Sequence, residues 1–264
     1  MLGFRVVEIT AAKLSTLLKT GRVNGNPFHR YLVAKLLFKC KLPAFVKFST
    51  DHYRLWFHPS ELSYQLYQNR SYFRQDEAIM DRILRPGDVF VDIGANIGTW
   101  VLYAAHLVGP AGHVYAFEPH PKTAHYLQRN VALNSFQNIT IFSCAVGDSH
   151  KLVTLEETAN DTMNNISENG TVSVQMVPLD SMTQIPKIRL LKIDAEGSEL
   201  QILHGAIQTL ERTESVCMEC CDTYARKRGY RSLDLLKILL DQGFKTDLPR
   251  DHSETFDENV LAFR

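Results

Sequence analysis

From about residue 76 to the C-terminus, short apolar runs alternate with longer stretches in which apolar residues recur with a helical period. The short runs have the β-branched and aromatic content of strands buried on both faces, and the longer stretches match amphipathic helices. The predicted strands cover residues 89–91, 113–118, 138–145, 189–194, 215–221 and 259–263, and the predicted helices cover residues 76–84, 99–107, 123–134, 199–212 and 232–242. This alternation predicts an α/β fold, a mostly parallel Rossmann-like sheet with helices on both faces.

One interval breaks the alternation. Residues 151–155 and 171–177 have the pattern of two strands, and the connection between them, residues 158–170, is almost entirely polar. A long polar connection of this kind is either a surface excursion or a lid over a ligand site. The pattern does not separate the two interpretations.

The N-terminal region is basic and has a helical pattern. Residues 1–50 contain nine lysines or arginines and one acid, Glu8. The pattern predicts two helices separated by a break at 21–27, followed by a β-hairpin of two strands at 44–48 and 53–57 around a turn at 49–52. We therefore predict an extension over residues 1–75 and a ligand-binding domain over residues 76–264. The extension is hypothesised to cover the substrate or to form an oligomer contact. The short apolar stripe favours a helix packed on its own domain, and the positive charge gives weak contact to an anionic membrane surface or a nucleic acid as the alternatives.

The domain is organised around the stretch VFVDIGANIGT at residues 89–99, in which a buried strand ends in a carboxylate and breaks into glycines. Strand, glycine turn and helix start hold nucleotide-like ligands in α/β proteins, although a plain turn between strand and helix gives a similar pattern. The dinucleotide fingerprint GxGxxG is absent, and a carboxylate here repels phosphate. S-adenosylmethionine, which has an amine and a ribose but no phosphate, fits better. The predicted cofactor residues in this stretch are Asp92, Gly94, Ala95, Asn96, Gly98 and Thr99.

Later strand ends add further candidates for the cofactor site. Glu118, followed by Pro119, ends the second strand, where a carboxylate can accept hydrogen bonds from both ribose hydroxyls. A solvated surface acid is the alternative. Cys144 and Ala145 are small residues at the end of the third strand, where an adenine ring needs room. Asp194 ends the fourth strand and is predicted near the reactive methyl group.

The same strand ends supply the candidates for catalysis. Asp194 or Glu196 is predicted to take the proton of the acceptor or to orient it. His120 is a second candidate base because its unperturbed pKa lies near neutrality, but a surface histidine is the favoured interpretation. Asp194 and Glu219 would suit Mg²⁺, yet the sequence shows no dedicated set of ligands. We therefore predict catalysis without a metal.

Several motifs occur in one order and resemble the FkbM family of S-adenosylmethionine-dependent methyltransferases. They are RPGDVFVDIGANIG, YAFEPHP, CAVGD, VPLDSM, LLKIDAEGSELQILHGA, MEC and NVLAF, over residues 80–264. The resemblance implies a class I methyltransferase fold, with a seven-stranded sheet whose last strand is antiparallel. It also implies methyl transfer, usually to a hydroxyl of a sugar, polyketide or related small molecule.

The resemblance carries over to individual positions. The residues that fall on the cofactor loop, the ribose acid and the signature after the fourth strand are Asp92, Gly94, Asn96, Gly98, Glu118, Asp194, Glu196 and Gly197. The N-terminal 75 residues have no counterpart, so the acceptor is not specified. Methylation of an amine or a carboxylate, and a non-catalytic scaffold that binds S-adenosylmethionine, are the alternatives.

Other features narrow the class of protein. A nicotinamide dehydrogenase would show GxGxxG, and a nucleic-acid base methyltransferase usually ends the fourth strand in Asn/Asp-Pro-Pro-aromatic rather than DAEG. The chain has five cysteines without a disulfide pattern, no secretory signal pattern and no apolar stretch that approaches the ~20 residues needed to span a bilayer. We expect a cytoplasmic enzyme that acts on a small molecule. The oligomeric state is open.

Overall fold

A computed structural model describes residues 47–69, 71–156, 165–167, 169–246 and 257–264. The chain divides into two compact units, Met1–Tyr72 and Phe73–Arg264. The helices predicted before residue 44, part of the strand at 44–48 and most of the polar connection at 158–170 lie outside the described residues. The domain boundary between residues 75 and 76 stays a prediction.

The described part of the first unit is a small hairpin followed by a helix. Strands β1 (Lys47–Ser49) and β2 (Arg54–Trp56) pair antiparallel, as predicted, and helix α1 (Glu61–Gln68) was not predicted. The hydroxyl of Ser60 accepts a hydrogen bond from the Ser63 N–H and caps this helix. The rings of Phe48 and Phe57 each meet Tyr67 edge to face, which gives the unit an apolar centre of its own.

The described part of the second unit contains two sheets. In chain order, its strands are β3 (Val89–Ile93), β4 (His113–Phe117), β5 (Ile139–Phe142), β6 (Ala145–Val146), β7 (Lys151–Glu156), β8 (Asn165–Ile166), β9 (Val172–Val177), β10 (Ile188–Ile193), β11 (Thr213–Cys221), β12 (Lys245–Thr246) and β13 (Asp257–Phe263). The larger sheet has seven strands in the order β12-β13-β11-β10-β3-β4-β5. Only β13 runs against its neighbours within this sheet. The expected class I methyltransferase sheet is thus confirmed.

The second sheet includes the end of a strand that was predicted to lie in the larger sheet. Its order is β6-β9-β7-β8, and β7 and β9 form the predicted hairpin. The prediction of one strand over residues 138–145 was wrong, because β5 ends at Phe142 and β6 pairs with β9 instead of continuing along β4. Ala145 therefore lies in the smaller sheet, directly after the edge of the larger one.

The described helices of the second unit are α2 (Arg74–Ile83), α3 (Thr99–Val108), α4 (Pro121–Leu133), α5 (Glu199–His204), α6 (Ile207–Glu211), α7 (Asp222–Lys227) and α8 (Ser232–Asp241), and a short 3₁₀ turn covers Leu179–Ser181. The prediction of one helix over residues 199–212 was wrong, because the helix is interrupted between α5 and α6. A Cβ atom on Gly205 would lie 1.8 Å from the carbonyl oxygen of Gly147, so this contact admits only glycine. Within the described residues, none of the helices has the length and hydrophobicity needed to cross a bilayer.

The core places the ends of the central strands at fixed positions. Phe90 and Val91 of β3, and Leu190 and Leu191 of β10, are fully buried. Parallel pairing in register aligns Ile93 with both Ile193 and Phe117. Residues that follow these strands therefore meet at one edge of the sheet, which is where α/β proteins bind ligands.

Candidate active site

The loop after β3 is in direct contact with the end of β10. Gly94 has a φ of +84°, and a Cβ atom there would lie 1.8 Å from the carbonyl oxygen of Asp194. The Asp194 N–H also donates to the carbonyl of Ile93 at 3.0 Å. Any side chain at position 94 would force the two loops apart. The predicted cofactor loop and the predicted catalytic strand end are thus one packed structure.

Glu118 joins the end of β4 to the same loop. Its carboxylate accepts backbone N–H groups from Asn96 and His120, each at 2.9 Å. Burial raises the pKa of Glu118 to about 7, although these two N–H groups oppose the shift. The alternative of a solvated surface acid was wrong, because the side chain is buried. Each oxygen keeps an acceptor site beyond its backbone bond, as the predicted ribose contact requires.

Asp92 is completely buried in the sheet. Its nearest cation is the ammonium of Lys192, 3.4 Å from Oδ1, although neither carboxylate oxygen makes a hydrogen bond of good geometry within the protein. Burial raises the pKa of Asp92, and the charge of Lys192 opposes this. The contact that the structure shows for the Asp92 carboxylate is therefore with Lys192. The role of Asp92 as a cofactor residue stays a prediction.

Three carboxylates converge beyond the end of β10. Asp194, Glu196 and Glu219 each offer an oxygen within 4.8 Å of the others, so the structure brings both predicted catalytic acids together with the acid of β11. Burial is the main cause that raises the pKa of Glu196 to about 7 and of Glu219 to about 8, and the negative charge of Asp194 adds to both. An acidic cluster alone does not identify a cation site, so the predicted absence of a metal stays a prediction.

A strained turn holds Glu196 in place. Glu196 has a φ of +50°, which is rare for a residue with a side chain. The Glu199 carboxylate accepts hydrogen bonds from the backbone N–H groups on either side of Glu196, from Ala195 at 3.0 Å and from Gly197 at 3.1 Å. The Tyr230 hydroxyl lies 2.9 Å from the other Glu199 oxygen and 3.1 Å from the Gly197 carbonyl. The buried pair Glu199 and Tyr230 thus stabilises an unfavourable backbone conformation.

The other predicted residues lie along the same edge. His120 is buried at the start of α4, with Nδ1 3.5 Å from the Thr123 hydroxyl, so the favoured interpretation as a surface histidine was wrong. Half-buried Pro119 separates it from Glu118. Cys144 is also half-buried, and Ala145 begins β6. Their contact with an adenine ring stays a prediction.

Residues 92–246 match the model of the methyltransferase FkbM domain, which is more than half of the chain. The chain belongs to the FkbM methyltransferase family. The matched region includes every site residue described above, and domains of this family use S-adenosylmethionine as methyl donor.

Individual relatives agree with the family. Methyltransferase 1 of Beauveria bassiana is 26% identical over 52% of this chain and 67% of its own length. The hexuronic acid methyltransferase AglP of Haloferax volcanii is 27% identical over 62% of this chain and 66% of its own length. The 31-O-demethyl-FK506 methyltransferase FkbM of Streptomyces tacrolimicus is 38% identical, over 32% of this chain and 30% of its own length. The chain thus spans about two thirds of the first two relatives and less than a third of the last.

Three residues that hold this site together, Lys192, Glu199 and Tyr230, were not predicted from the sequence. Lys192 lies inside the LLKID motif and could have been found, because a lysine in the middle of a buried strand needs a charged partner. Glu199 lies in the same motif, but its contacts depend on the turn before it. Tyr230 carries no signal in the sequence, since it reaches the turn from a loop 31 positions after Glu199.

Proposed function

We propose that this chain transfers the methyl group of S-adenosylmethionine to a hydroxyl of a small molecule, such as a sugar or a polyketide. The observation that carries the proposal is the convergence of Asp194, Glu196 and Glu219 beside the glycine loop. A hydroxyl is neutral and must lose a proton, and the carboxylates of Glu196 and Glu219, with pKa values raised to about 7 and about 8, are suited to accept it. The relatives are named for a hexuronic acid and for a 31-O-demethyl compound, which supports an oxygen acceptor.

The proposed division of labour follows from the contacts of each acid. Asp194 is held by the Lys192 ammonium at 3.0 Å and orients the acceptor hydroxyl. Glu196 takes the proton, because its Oε2 is buried without a hydrogen-bond partner in the protein and its pKa is raised to about 7. S-adenosylmethionine, when bound, would supply the methyl group, whose carbon would bond to the acceptor oxygen as its bond to sulfur breaks. The products are a methyl ether, S-adenosylhomocysteine and a proton on Glu196.

The cofactor is proposed to lie along the ends of β3 and β4. Glu118 would accept the ribose hydroxyls, and the turn from Gly94 to Gly98 would follow the methionine part. Cys144 and Ala145 would leave room for the adenine. The three acids disfavour an acceptor that presents a carboxylate as the reacting group, since like charges repel. A neutral amine remains the alternative acceptor.

The proposal is tested in two stages. Calorimetry with S-adenosylhomocysteine should show saturable binding at one site, and Glu118→Gln should weaken it by about tenfold, because a charged acceptor to the ribose is lost. Glu214→Gln, an acid at the opposite end of the sheet, is the matched control and should bind normally. Absence of binding at high micromolar ligand would contradict the proposal.

The second stage identifies the acceptor. Methyl transfer from labelled S-adenosylmethionine is screened against sugars, polyketides, amines and carboxylic acids, with and without EDTA. The expected products are methyl ethers, and they should form at the same rate with and without EDTA. Methylated amines as the main products would replace this proposal by the amine alternative, and loss of turnover in EDTA would contradict catalysis without a metal.

A further inference from the structure

Lys192 is a charged residue in the middle of a buried central strand. It lies in β10, paired in register with Asp92 of β3 on one side and Cys217 of β11 on the other. Only 7% of the residue is exposed. Burying an ammonium group is costly unless nearby carboxylates compensate it, so the contacts of this side chain indicate why it is there.

The ammonium of Lys192 is held from several sides. It donates to Asp194 Oδ2 at 3.0 Å, lies 3.4 Å from Asp92 Oδ1, and stands 5.4 Å from the centre of the Trp100 ring. Burial disfavours the charged form, but the carboxylates of Asp194 and Asp92 outweigh it and raise the pKa of Lys192. The ammonium is therefore a fixed cation between a fully buried acid and an acid of the proposed site.

A third carboxylate belongs to the same cluster. Burial raises the pKa of Asp76, on helix α2, while the charge of Lys192 lowers it and that of Asp194 raises it. The side chain of Trp100 is a hydrogen-bond partner of Asp76 as well as a neighbour of the ammonium. The charge of Lys192 thus acts on three acids: it contacts Asp92 and Asp194 directly, and it lowers the pKa of Asp76.

We propose that Lys192 is a positioning residue for methyl transfer, which fixes the Asp194 carboxylate toward the acceptor while Asp92 and Trp100 fix its own ammonium. The inference rests on the proposed function. The Asp194 side chain is 41% exposed, and its hydrogen bond from Lys192 restrains its rotation. A carboxylate free to rotate would orient the acceptor hydroxyl poorly, and small errors of alignment are costly in rate.

A purely structural role for Lys192 is the competing explanation. In that case Lys192 would only neutralise Asp92, and its removal would act on folding independently of Asp194. The two explanations differ in their coupling. Residues that act through one another show non-additive effects when both are changed, whereas independent residues show effects that add.

The test is a double-mutant cycle with Lys192→Met, Asp194→Asn and the two together. Lys192→Met should lower kcat by about 100-fold, with acceptor KM and the Kd of S-adenosylhomocysteine within about threefold of wild type. The double variant should be no more than about threefold slower than Asp194→Asn alone. Lys187→Met, a lysine just before the start of the same strand with an exposed side chain, is the matched control and should keep wild-type kcat.

Two outcomes would overturn the inference: wild-type kcat in Lys192→Met, or fully additive losses in the double variant. If Lys192→Met does not fold, the cycle is repeated with Lys192→Arg, which keeps the charge but not the point geometry of the ammonium. The arginine should reduce kcat by about tenfold in the wild-type background and have no effect in Asp194→Asn. Failure of the proposed function is recognised separately, because wild-type protein would then neither bind S-adenosylhomocysteine nor transfer a methyl group.

Discussion

The two ends of the adjacent strands β10 and β11 carry similar charged residues in opposite arrangements. At the amino ends, Lys187 and Arg189 both pair with Glu214, and these pairs are partly open to solvent. The hydrogen bonds from Lys187 and Arg189 lower the pKa of Glu214. At the carboxyl ends, Lys192 faces several acids, and the pKa values of Glu196 and Glu219 are raised. One end has more cations than acids, and the other has more acids than cations.

The difference between the two ends indicates which charged residues serve stability and which serve function. Partly exposed ion pairs such as those of Glu214 contribute about 0–1 kcal/mol each and are easily replaced. Carboxylates crowded together with raised pKa values destabilise the ionised fold, so folding alone gives no reason to collect them. A cluster of this kind at the ligand-binding edge of a sheet is typical of acid–base chemistry. Three predictions test how far the comparison holds.

The largest effect is expected when the proposed base, Glu196, is removed. Glu196→Gln should lower kcat by about 100–1,000-fold, because the amide cannot take the proton of the acceptor hydroxyl. Initial rates with the acceptor found by screening provide the measurement, and the Kd of S-adenosylhomocysteine should stay unchanged. Glu214→Gln makes the same chemical change at the other end of the strands and should alter kcat by less than about twofold. Equal losses in both variants would show that the two ends do not differ in function.

A smaller effect is expected when the geometry of the acidic end is loosened without a change of charge. Tyr230→Phe removes the hydroxyl that lies between Glu199 and the Gly197 carbonyl. Chemical denaturation should show a loss of about 1–3 kcal/mol in the free energy of unfolding, and kcat should fall by roughly 3–10-fold as the turn at Glu196 loosens. Tyr115→Phe in β4 is the matched control. Unchanged kcat in Tyr230→Phe would mean that the turn is held without this hydroxyl.

The smallest effect concerns the dependence of stability on pH. Folding raises the pKa of Glu219 from 4.5 to about 8, so between these values the folded protein binds a proton that the unfolded chain has lost. Stability from this group is therefore complete below pH 4.5 and declines as the pH rises to 8. Scanning calorimetry should show that the Tm of wild type falls between pH 5 and 8 by roughly 3–6 °C more than that of Glu219→Gln.

The opposite end of the strands provides the control for this measurement. The pKa of Glu214 is lowered in the folded protein, so its contribution is present above its unfolded pKa of 4.5 and disappears only as the pH falls below that value. Glu214→Gln should therefore keep the wild-type decline between pH 5 and 8. Parallel curves for wild type and Glu219→Gln in this range would refute the charge balance described for the acidic end.

Much of the fold and part of the site could be predicted from the sequence. The period of apolar residues determined the parallel strands, and an acid directly after such a strand has one place to go, the carboxyl edge of the sheet. Asp194 and Glu196 were found in this way. The split between β5 and β6 and the break at Gly205 were not predictable, because both depend on contacts with distant segments. Tyr230 was missed for the same reason, whereas Lys192 was missed although a lysine in a predicted buried strand indicates a charged partner.

The contact between Gly94 and the Asp194 carbonyl has a mechanical consequence. With no space for even a methyl group between them, the loop after β3 cannot shift toward β10 without carrying the Asp194 backbone with it. The hydrogen bond from the Asp194 N–H to the Ile93 carbonyl also keeps the two segments from moving apart. The loop after β3 and the Asp194 backbone therefore form a single rigid unit. Under the proposed function, this unit would fix the distance between methyl donor and acceptor.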